Sequence, residues 1–107
     1  MIVVTTGTVS GSRITGTLGM VRGSSVRTRH VGRDIMAGLR NLAGGEIYEY
    51  TKMLAEAREQ AIDRMIDEAR LLDANAIVSV RFQTSMVMSG AAEMMCYGTA
   101  VRTEPDT

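Results

Sequence analysis

Aromatic residues, cysteine and proline are scarce in this chain of 107 residues. It contains no tryptophan, one phenylalanine, three tyrosines, one cysteine and one proline. One cysteine cannot form an internal disulfide, which excludes a disulfide-stapled scaffold and agrees with a reducing compartment. Because aromatic rings are few, the volume of a core must come from Val, Ile, Leu, Ala and the nine Met residues. Methionine adapts to irregular gaps and to partner surfaces.

Long apolar runs are absent as well. No segment approaches the roughly 20 apolar residues of a membrane helix. Residues 1–6, MIVVTT, have neither the basic region nor the long apolar stretch of a secretory signal. We therefore expect a cytoplasmic protein without a membrane partner. The length predicts a single domain over residues 1–107, with a loose tail at 103–107.

The charges cancel overall but are distributed unevenly. Residues 1–45 hold six arginines against one aspartate, whereas residues 46–73 hold eight acidic and four basic residues. A basic half can mark a nucleic-acid surface. Here the arginines have no interleaved aromatic residues for stacking, and the chain has no basic excess. We therefore do not expect a nucleic-acid partner, and we expect the two halves, or neighbouring copies of them, to face one another.

The residue pattern predicts an α+β fold in the order strand, strand, short helix, long helix, strand, strand. Runs of β-favouring residues predict four strands, at 2–5, 13–21, 76–84 and 93–103, the last two joined by a turn at 89–91. Gly23-Ser24-Ser25 breaks the second strand pattern. Apolar spacing indicates a short helix over about residues 33–43, which Gly44 and Gly45 end.

The strongest periodic pattern runs from Glu46 to about Leu72. Apolar residues three or four positions apart predict one buried helix face: Ile47, Tyr50, Leu54, Ala57, Ala61, Met65, Ala69 and Leu72, widened by Ile62 and Ile66. Arg64 and Glu68 look like an ordinary surface pair. The helix would be about 40 Å long, against a radius of gyration near 13 Å for a compact domain of this size. We therefore expect it to overhang a small, mainly antiparallel sheet that packs on it.

The last two predicted strands carry apolar residues on both faces. Alternation places Val78, Val80 and Phe82 on one face of the first strand. In the second strand Met94, Cys96 and Ala100 share one face, and Met95, Tyr97 and Val101 share the other. One helix covers only one face of a sheet, so we expect a second chain to cover the other face or that face to be an interaction surface.

Metal ligands are few. Cys96 and His30 are the single cysteine and histidine, without C-x-x-C or H-x-x-x-H spacing, so the sequence does not support a four-ligand site within one subunit. We interpret Cys96 as a small core residue and His30 as a loop residue. In a ring of identical subunits, however, sulfur atoms could converge and select a soft metal. The residues concerned are Cys96, Met86, Met88, Met94 and Met95, although alternation separates Met95 from Cys96.

Arg33, Asp34 and Arg40 surround the predicted short helix. They could hold an anion with the backbone N–H groups of a helix start, or form ion pairs between subunits, which we favour. Gly16-Thr17-Leu18-Gly19 matches G-x-x-G, a pattern that occurs by chance too often to indicate a binding site. The sequence has no Walker loop and no dinucleotide fingerprint. The sequence therefore identifies no catalytic residue and no cofactor.

Three segments resemble the YbjQ-like family of small bacterial and archaeal proteins over nearly the entire chain: GRDIMAGLRNLAGGEIYEY, AREQAIDRMIDEARLLDANAIVSVRF and SGAAEMMCYGTAV. The most specific part is R-D-x-x-A-G-x-R-x-x-x-G-G. The resemblance implies an α+β fold, a closed ring of five subunits in the manner of a β/α propeller, and the family's label of "putative heavy-metal binding". This chain departs from the family at Asp73, where a glycine is common, and at Cys96, where a small residue such as serine is common.

We expect a homo-oligomeric binding or scaffold protein without enzymatic turnover, for a soft metal or a small anionic ligand. The residues expected at a ligand site or subunit interface are Arg33, Asp34, Arg40, Gly44 and Gly45. The alternative is an enzyme whose active site lies at the subunit interface, where Arg33, Asp34 and Arg40 would hold an anionic substrate.

Overall fold

The structure is a computed structural model that describes residues 1–28, 45–88 and 91–106. Its elements are β1 (Ile2–Val3), β2 (Ser12–Thr28), α1 (Gly45–Leu71), β3 (Ala76–Met88) and β4 (Ala91–Pro105). The described strands form one sheet in the order β1-β3-β4-β2. β1 pairs parallel with β3, and the other two pairings are antiparallel, so the sheet is mixed. The α+β class is confirmed; the predicted short helix and the predicted turn at 89–91 lie wholly or largely outside the described residues.

The long helix forms where its periodicity predicts it. Ala57, Ala61, Met65 and Ala69 lie four residues apart and are at most 1% exposed. Three of these four side chains are alanine, so the helix backbone comes very close to the sheet. A Cβ added at Gly23 on β2 would lie 2.5 Å from the backbone N of Met65 and still closer to the carbonyl oxygen of Ala61. Gly23 is therefore required by the crossing of α1 over β2.

α1 ends in a Schellman motif. The N–H of Ala74 donates to the carbonyl of Ala69 at 3.1 Å, and the N–H of Asp73 donates to that of Arg70 at 3.0 Å. Asp73 occupies the position after the cap with φ of 61°, a left-handed conformation that glycine adopts most easily. The helix therefore ends as it would with a glycine, but at the cost of a strained aspartate.

β2 is longer than predicted, because Gly23-Ser24-Ser25 continues the strand instead of breaking it. Gly23, Ser24 and Ser25 pair in register with Cys96, Met95 and Met94 of β4. The close approach of α1 requires small residues here. Glycine and serine are also typical of turns, so the sequence pattern indicates a turn where the strand continues. The local pattern therefore gave the wrong end for this strand.

The prediction that Val78 and Val80 share one face of β3 is wrong. Val80 belongs to the core under α1, whereas Val78 packs with Ala76 and Val101 in a second cluster, covered by Val4 and Val9. Ser79, between them, has φ of 55°, and the register with β4 shifts at this point. This bulge inserts one residue and so reverses the alternation.

The C-terminal strand also extends further than expected, and residues 103–105 belong to β4 instead of a loose tail. The side chain of Asn75 holds this end. Its Nδ2 donates to the carbonyl of Thr103 at 2.9 Å, and its Oδ1 accepts from the N–H of Thr103 at 2.8 Å. Thr103 is buried as a result.

The molecule is elongated, with extents of 59 × 22 × 15 Å and a radius of gyration of 17.6 Å. A compact domain of this size would have about 13 Å. Glu56 of α1 contacts Arg27, one residue before β2 ends, so the helix N-terminal to Glu56 extends past the strand. Met53, Leu54 and Ala55 are only half-buried there. No helix of the described chain is long and apolar enough to cross a membrane.

Candidate functional site

One side of α1 carries a polar residue at every fourth position, and each of these residues binds β2. The four are Glu56, Gln60, Arg64 and Glu68. Glu56 forms an ion pair with Arg27 at 3.6 Å. Ser25 Oγ donates a short hydrogen bond of 2.5 Å to Gln60 Oε1, and Ser25 is only 1% exposed. The helix is therefore tied to this strand by side-chain bonds beside its apolar core.

The other two polar residues bind the backbone of β2 at its outer edge. Arg64 Nη1 donates to the carbonyl of Ser24 at 2.6 Å, and Glu68 Oε1 accepts from the N–H of Arg22 at 3.3 Å. Because β4 pairs with the opposite side of β2, these bonds occupy backbone groups that a further strand would use. We call residues 22–27 of β2 the closed edge.

Two clefts flank this contact. One, of about 520 Å³, is lined by Arg27, Ala55, Glu56, Glu59, Gln60 and Asp63. The other, of about 390 Å³, is lined by Arg22, Gly23, Ser24, Arg64, Glu68 and Met95. Both mix charges of opposite sign, and the polar groups nearest β2 already bond one another. Among these described lining residues, Glu56, Gln60, Arg64 and Glu68 are therefore already bonded to β2.

The opposite edge of the sheet differs. β1 pairs only with Ala76 and Ile77 of β3, and no other described strand lies beside residues 81–88. Four large apolar side chains are exposed in that stretch: Phe82 (44%), Met86 (63%), Val87 (53%) and Met88 (65%). We call residues 81–88 of β3 the open edge.

The face of the sheet opposite α1 also carries exposed apolar side chains, although Val4 and Val9 cover its end around Val101. Met20 and Val26 are 64% and 54% exposed there. Tyr97 lies in register between Arg22 on β2 and Arg81 on β3, and it is partly exposed. The guanidinium of Arg81 is engaged, since it donates to the carbonyls of Thr5 and Val80. The exposed part of this face is therefore both apolar and basic.

Cys96 lies in the core, in agreement with its interpretation as a small core residue. It is 0% exposed and lies in register between Gly23 and Phe82. Burial raises the pKa of its thiol, and a hydrogen bond with the Gly23 backbone acts in the opposite direction. The thiol is therefore protonated at neutral pH, and a protonated buried thiol is a poor metal ligand.

The methionines do not converge on Cys96 within one subunit. Met94 shares its face but is buried, with its sulfur 3.2 Å from the hydroxyl of Thr84. Met95 lies on the opposite face and lines the smaller cleft. Met86 and Met88 lie on the open edge. No group of three or more Cys, His, Asp and Glu residues that could hold a metal occurs in the described ranges, so a metal does not fit this part of a subunit.

Most of the residues expected at a ligand site or interface lie outside the described residues, and so does His30. These are Arg33, Asp34, Arg40 and Gly44. Gly45 is the first residue of α1. Their placement as a ligand site or interface stays a prediction.

The closed edge is not predicted by the sequence pattern. Arg64 and Glu68 have the spacing of a surface pair, whereas each binds the backbone of β2. The available signal was the repeat of polar residues at 56, 60, 64 and 68, directly beside the apolar stripe at 57, 61, 65 and 69. A polar stripe in that position indicates contact with a neighbouring element instead of solvent.

Comparison with known families gives one match over residues 1–104, to the model of the YbjQ family, described as "Putative heavy-metal-binding". Two similar proteins are named only as UPF0145 proteins. The one from Methanosarcina acetivorans is 59% identical over 102 residues, covering 95% of this chain and 96% of that protein. The one from Thermus thermophilus is 55% identical over 105 residues, covering 98% and 92%.

A solved structure shares the fold. It is a crystal structure from Pediococcus pentosaceus, titled as a protein of unknown function that belongs to the DUF74 family. The TM-score is 0.61 at 17% sequence identity, with 97% of this chain and 98% of that chain covered. At this identity the likeness shows the fold alone.

Proposed function

The chain belongs to the YbjQ family, and on that premise we propose that it is a homo-oligomeric binding or scaffold protein of the cytoplasm. Its subunits would close into a ring of five. The observation that supports this most is the exposed apolar surface on the sheet face opposite α1, where Met20 and Val26 are more than half exposed. A soluble monomer rarely leaves large apolar patches uncovered.

The charges favour a second copy as the cover. The outward side of α1 carries Glu59, Asp63 and Asp67, all exposed. The bare sheet face carries Arg22 and Arg81. If the helix of one subunit faces the sheet of the next, opposite charges meet at each contact, and opposite charge at an interface fixes its register. Such a contact joins two different surfaces, so it builds rings when the rotation closes.

We propose that the ligand is a small anion, held at the subunit boundary by Arg33 and Arg40 with Asp34, Gly44 and Gly45 beside them. The excess of arginine in residues 1–45 supports an anion. A soft metal is the second ligand class, but the described residues of one subunit lack a suitable donor set, so several subunits would have to supply it.

Sedimentation velocity and native mass spectrometry at micromolar concentration test the assembly. We expect a mass that is five times, or a multiple of five times, that of the 11.6 kDa chain. A monodisperse monomer would contradict the proposal.

Calorimetric titration tests the ligand class, with orthophosphate for the anion and Zn(II) or Cu(I) for the metal. We expect orthophosphate binding that Arg33→Ala and Arg40→Ala weaken and that Arg13→Ala leaves intact, because Arg13 already pairs with Glu104 at 3.0 Å. If the protein binds metal and Cys96→Ser abolishes that binding, the ligand would be a metal instead of an anion. Hydrolysis or transfer of a bound phosphoester would instead favour an enzyme at the interface.

A further inference from the structure

Three exposed side chains form a row across the sheet on the face opposite α1. Tyr97 on β4 lies in register with Arg22 on β2 and with Arg81 on β3. Neighbouring strands lie about 4.8 Å apart, so the two arginine positions are separated by about 10 Å, with the tyrosine between them. We call Arg22, Tyr97 and Arg81 the basic row.

The polar groups of the basic row are only partly used within the subunit. One nitrogen of the Arg81 guanidinium donates to the carbonyls of Thr5 and Val80. By contrast, no described residue forms a hydrogen bond or an ion pair with the guanidinium of Arg22 or the hydroxyl of Tyr97. The row therefore presents a charged donor and a phenolic hydroxyl to a partner.

The outward side of α1 carries a row of opposite charge. Glu59, Asp63 and Asp67 lie four residues apart and are exposed, and at 1.5 Å per residue they span about 12 Å. Carboxylates four residues apart on a helix repel one another. Asp67 pairs with Arg70 at 3.5 Å, whereas no described residue pairs with Glu59 or Asp63. We call Glu59, Asp63 and Asp67 the acidic row.

We propose that the acidic row of one subunit lies across the basic row of the next, with Asp63 over Tyr97. This inference rests on the proposed homo-oligomeric function and names the contact that joins neighbouring subunits. A row of about 12 Å matches two arginines about 10 Å apart, so the outer carboxylates face the guanidinium groups. The hydroxyl of Tyr97 donates to the Asp63 carboxylate, and a hydrogen bond to an ionised acceptor is stronger than one between neutral groups.

The charges on the sheet face set the angle between the helix and the strands. Along β2, the residues two positions from Arg22 on the same face are Met20 and Ser24, which are uncharged. Along β4, the same face carries Glu93, four residues or about 13 Å from Tyr97. A helix parallel to the strands would therefore meet one arginine and a repelling carboxylate. A helix across the strands meets both arginines.

Charge exchange between the two rows, followed by native mass spectrometry, tests the contact. Arg22→Glu and Asp63→Arg each place like charges together, so each should lower the mass from that of the ring to that of the monomer. The double variant Arg22→Glu/Asp63→Arg should regain the ring. Arg58→Glu and Asp106→Arg make the same changes in charge at exposed positions outside the two rows, and both should keep the full mass.

A mixture of the two single variants shows whether the restored contact lies between chains. Each variant supplies the surface that the other lacks, so mixing should give oligomers that contain both masses. Circular dichroism checks the fold of each variant, because a carboxylate at position 22 also lies near Glu68. Where Arg22→Glu does not fold, Asp63→Arg on the outward side of α1 decides the test.

Tyr97→Phe tests the centre of the contact. Loss of the hydroxyl should raise the dissociation constant of the subunits about tenfold, as expected for a hydrogen bond to a charged group. In an Asp63→Ala background the same substitution should have no further effect. Equal effects in the two backgrounds would overturn the placement of Asp63 over Tyr97.

The outcomes separate this contact from the assembly itself. The wild-type mass for both Arg22→Glu and Asp63→Arg would overturn the contact and leave the ring intact. Monomers that neither the double variant nor the mixture restores would overturn the pairing of the two rows. A monomeric wild type would refute the proposed function itself.

Discussion

The two edges of the sheet differ in how their unpaired backbone groups are covered. Every edge strand leaves N–H and C=O groups unpaired and is a site of unwanted pairing. At the closed edge, Arg64 and Glu68 of α1 bind the backbone of β2 from within the same subunit. At the open edge, β3 presents its backbone beside exposed Phe82 and Val87. The helix therefore protects one edge of the sheet within the subunit, whereas no other described strand lies beside residues 81–88 at the other edge.

The closed edge depends on how closely α1 approaches β2. The polar side of the helix reaches the strand only because Gly23 lets the two backbones come together. The largest effect should therefore come from changing that glycine.

Gly23→Ala should destabilise the protein by about 3 kcal/mol, since the new Cβ would overlap backbone atoms of α1 that cannot rotate away. Urea unfolding followed by circular dichroism measures this. Gly16→Ala is the control, because its Cβ would meet only the Cβ of Arg102 at 3.8 Å, and it should change stability by about 0.5 kcal/mol or less. Equal losses for both would mean that α1 does not cross at Gly23.

Ser25→Ala should cost about 1–2 kcal/mol, because it leaves the oxygen of Gln60 without its buried hydrogen bond. Ser24→Ala keeps the backbone carbonyl that Arg64 binds, so it should cost no more than about 0.5 kcal/mol. The same unfolding experiment compares the two. A larger loss at Ser24 would reverse the assignment of faces along β2.

Replacing Arg64 and Glu68 together by alanine should convert the closed edge into a second open one. We expect a loss of about 1 kcal/mol and stronger self-association, seen as light scattering that rises with concentration. The control replaces Arg58 and Glu59 by alanine, with the same change in charge on the same helix. Equal scattering from both pairs would show that the helix side chains do not protect β2.

Asp73→Gly should stabilise the protein by about 0.5–1 kcal/mol, since glycine adopts the φ of 61° with less strain. Arg58→Gly, inside α1, should instead destabilise it by about 1 kcal/mol. Opposite signs in a thermal melt would confirm that residue 73 lies beyond the helix end. A destabilised Asp73→Gly would contradict the motif.

Cys96 lies on β4, midway between the two edges, and gives the smallest effect. Because burial raises the pKa of its thiol, the unfolded chain loses this proton first as the pH rises. The contribution to stability is constant below the ordinary thiol pKa of about 8.5 and is lost at higher pH. The urea midpoint should therefore fall more between pH 7 and pH 9.5 in wild type than in Cys96→Ala. Parallel curves would indicate an exposed thiol.

Much of the fold could be predicted because it depends on local periodicity. Ala57, Ala61, Met65 and Ala69 have helical spacing, and they form the buried stripe of α1. The extent of β2 could not be predicted, because Gly23 is needed for the close approach of a helix that lies more than thirty residues away in the sequence. The split between Val78 and Val80 also escaped prediction, because nothing local indicates a left-handed Ser79.

The candidate site was less predictable than the fold. The burial of Cys96 and the separation of Met94 from Met95 follow from strand alternation and are confirmed. The binding of β2 by Arg64 and Glu68 depends on which side of α1 meets which strand, and a single sequence does not contain that information. The roles of Arg33, Asp34 and Arg40 stay predictions from the sequence, because these residues lie outside the described ranges.

Amide hydrogen exchange, resolved by residue and measured over a range of protein concentrations, compares the two edges directly. We expect slow exchange at Arg22 at every concentration, because Glu68 of the same subunit accepts its N–H. We expect faster exchange at Phe82 and Thr84 in the unassembled subunit, because no described strand accepts their N–H groups on the outer side of β3. Exchange at Phe82 and Thr84 that is as slow as at Arg22 in the unassembled subunit would contradict the difference between the two edges.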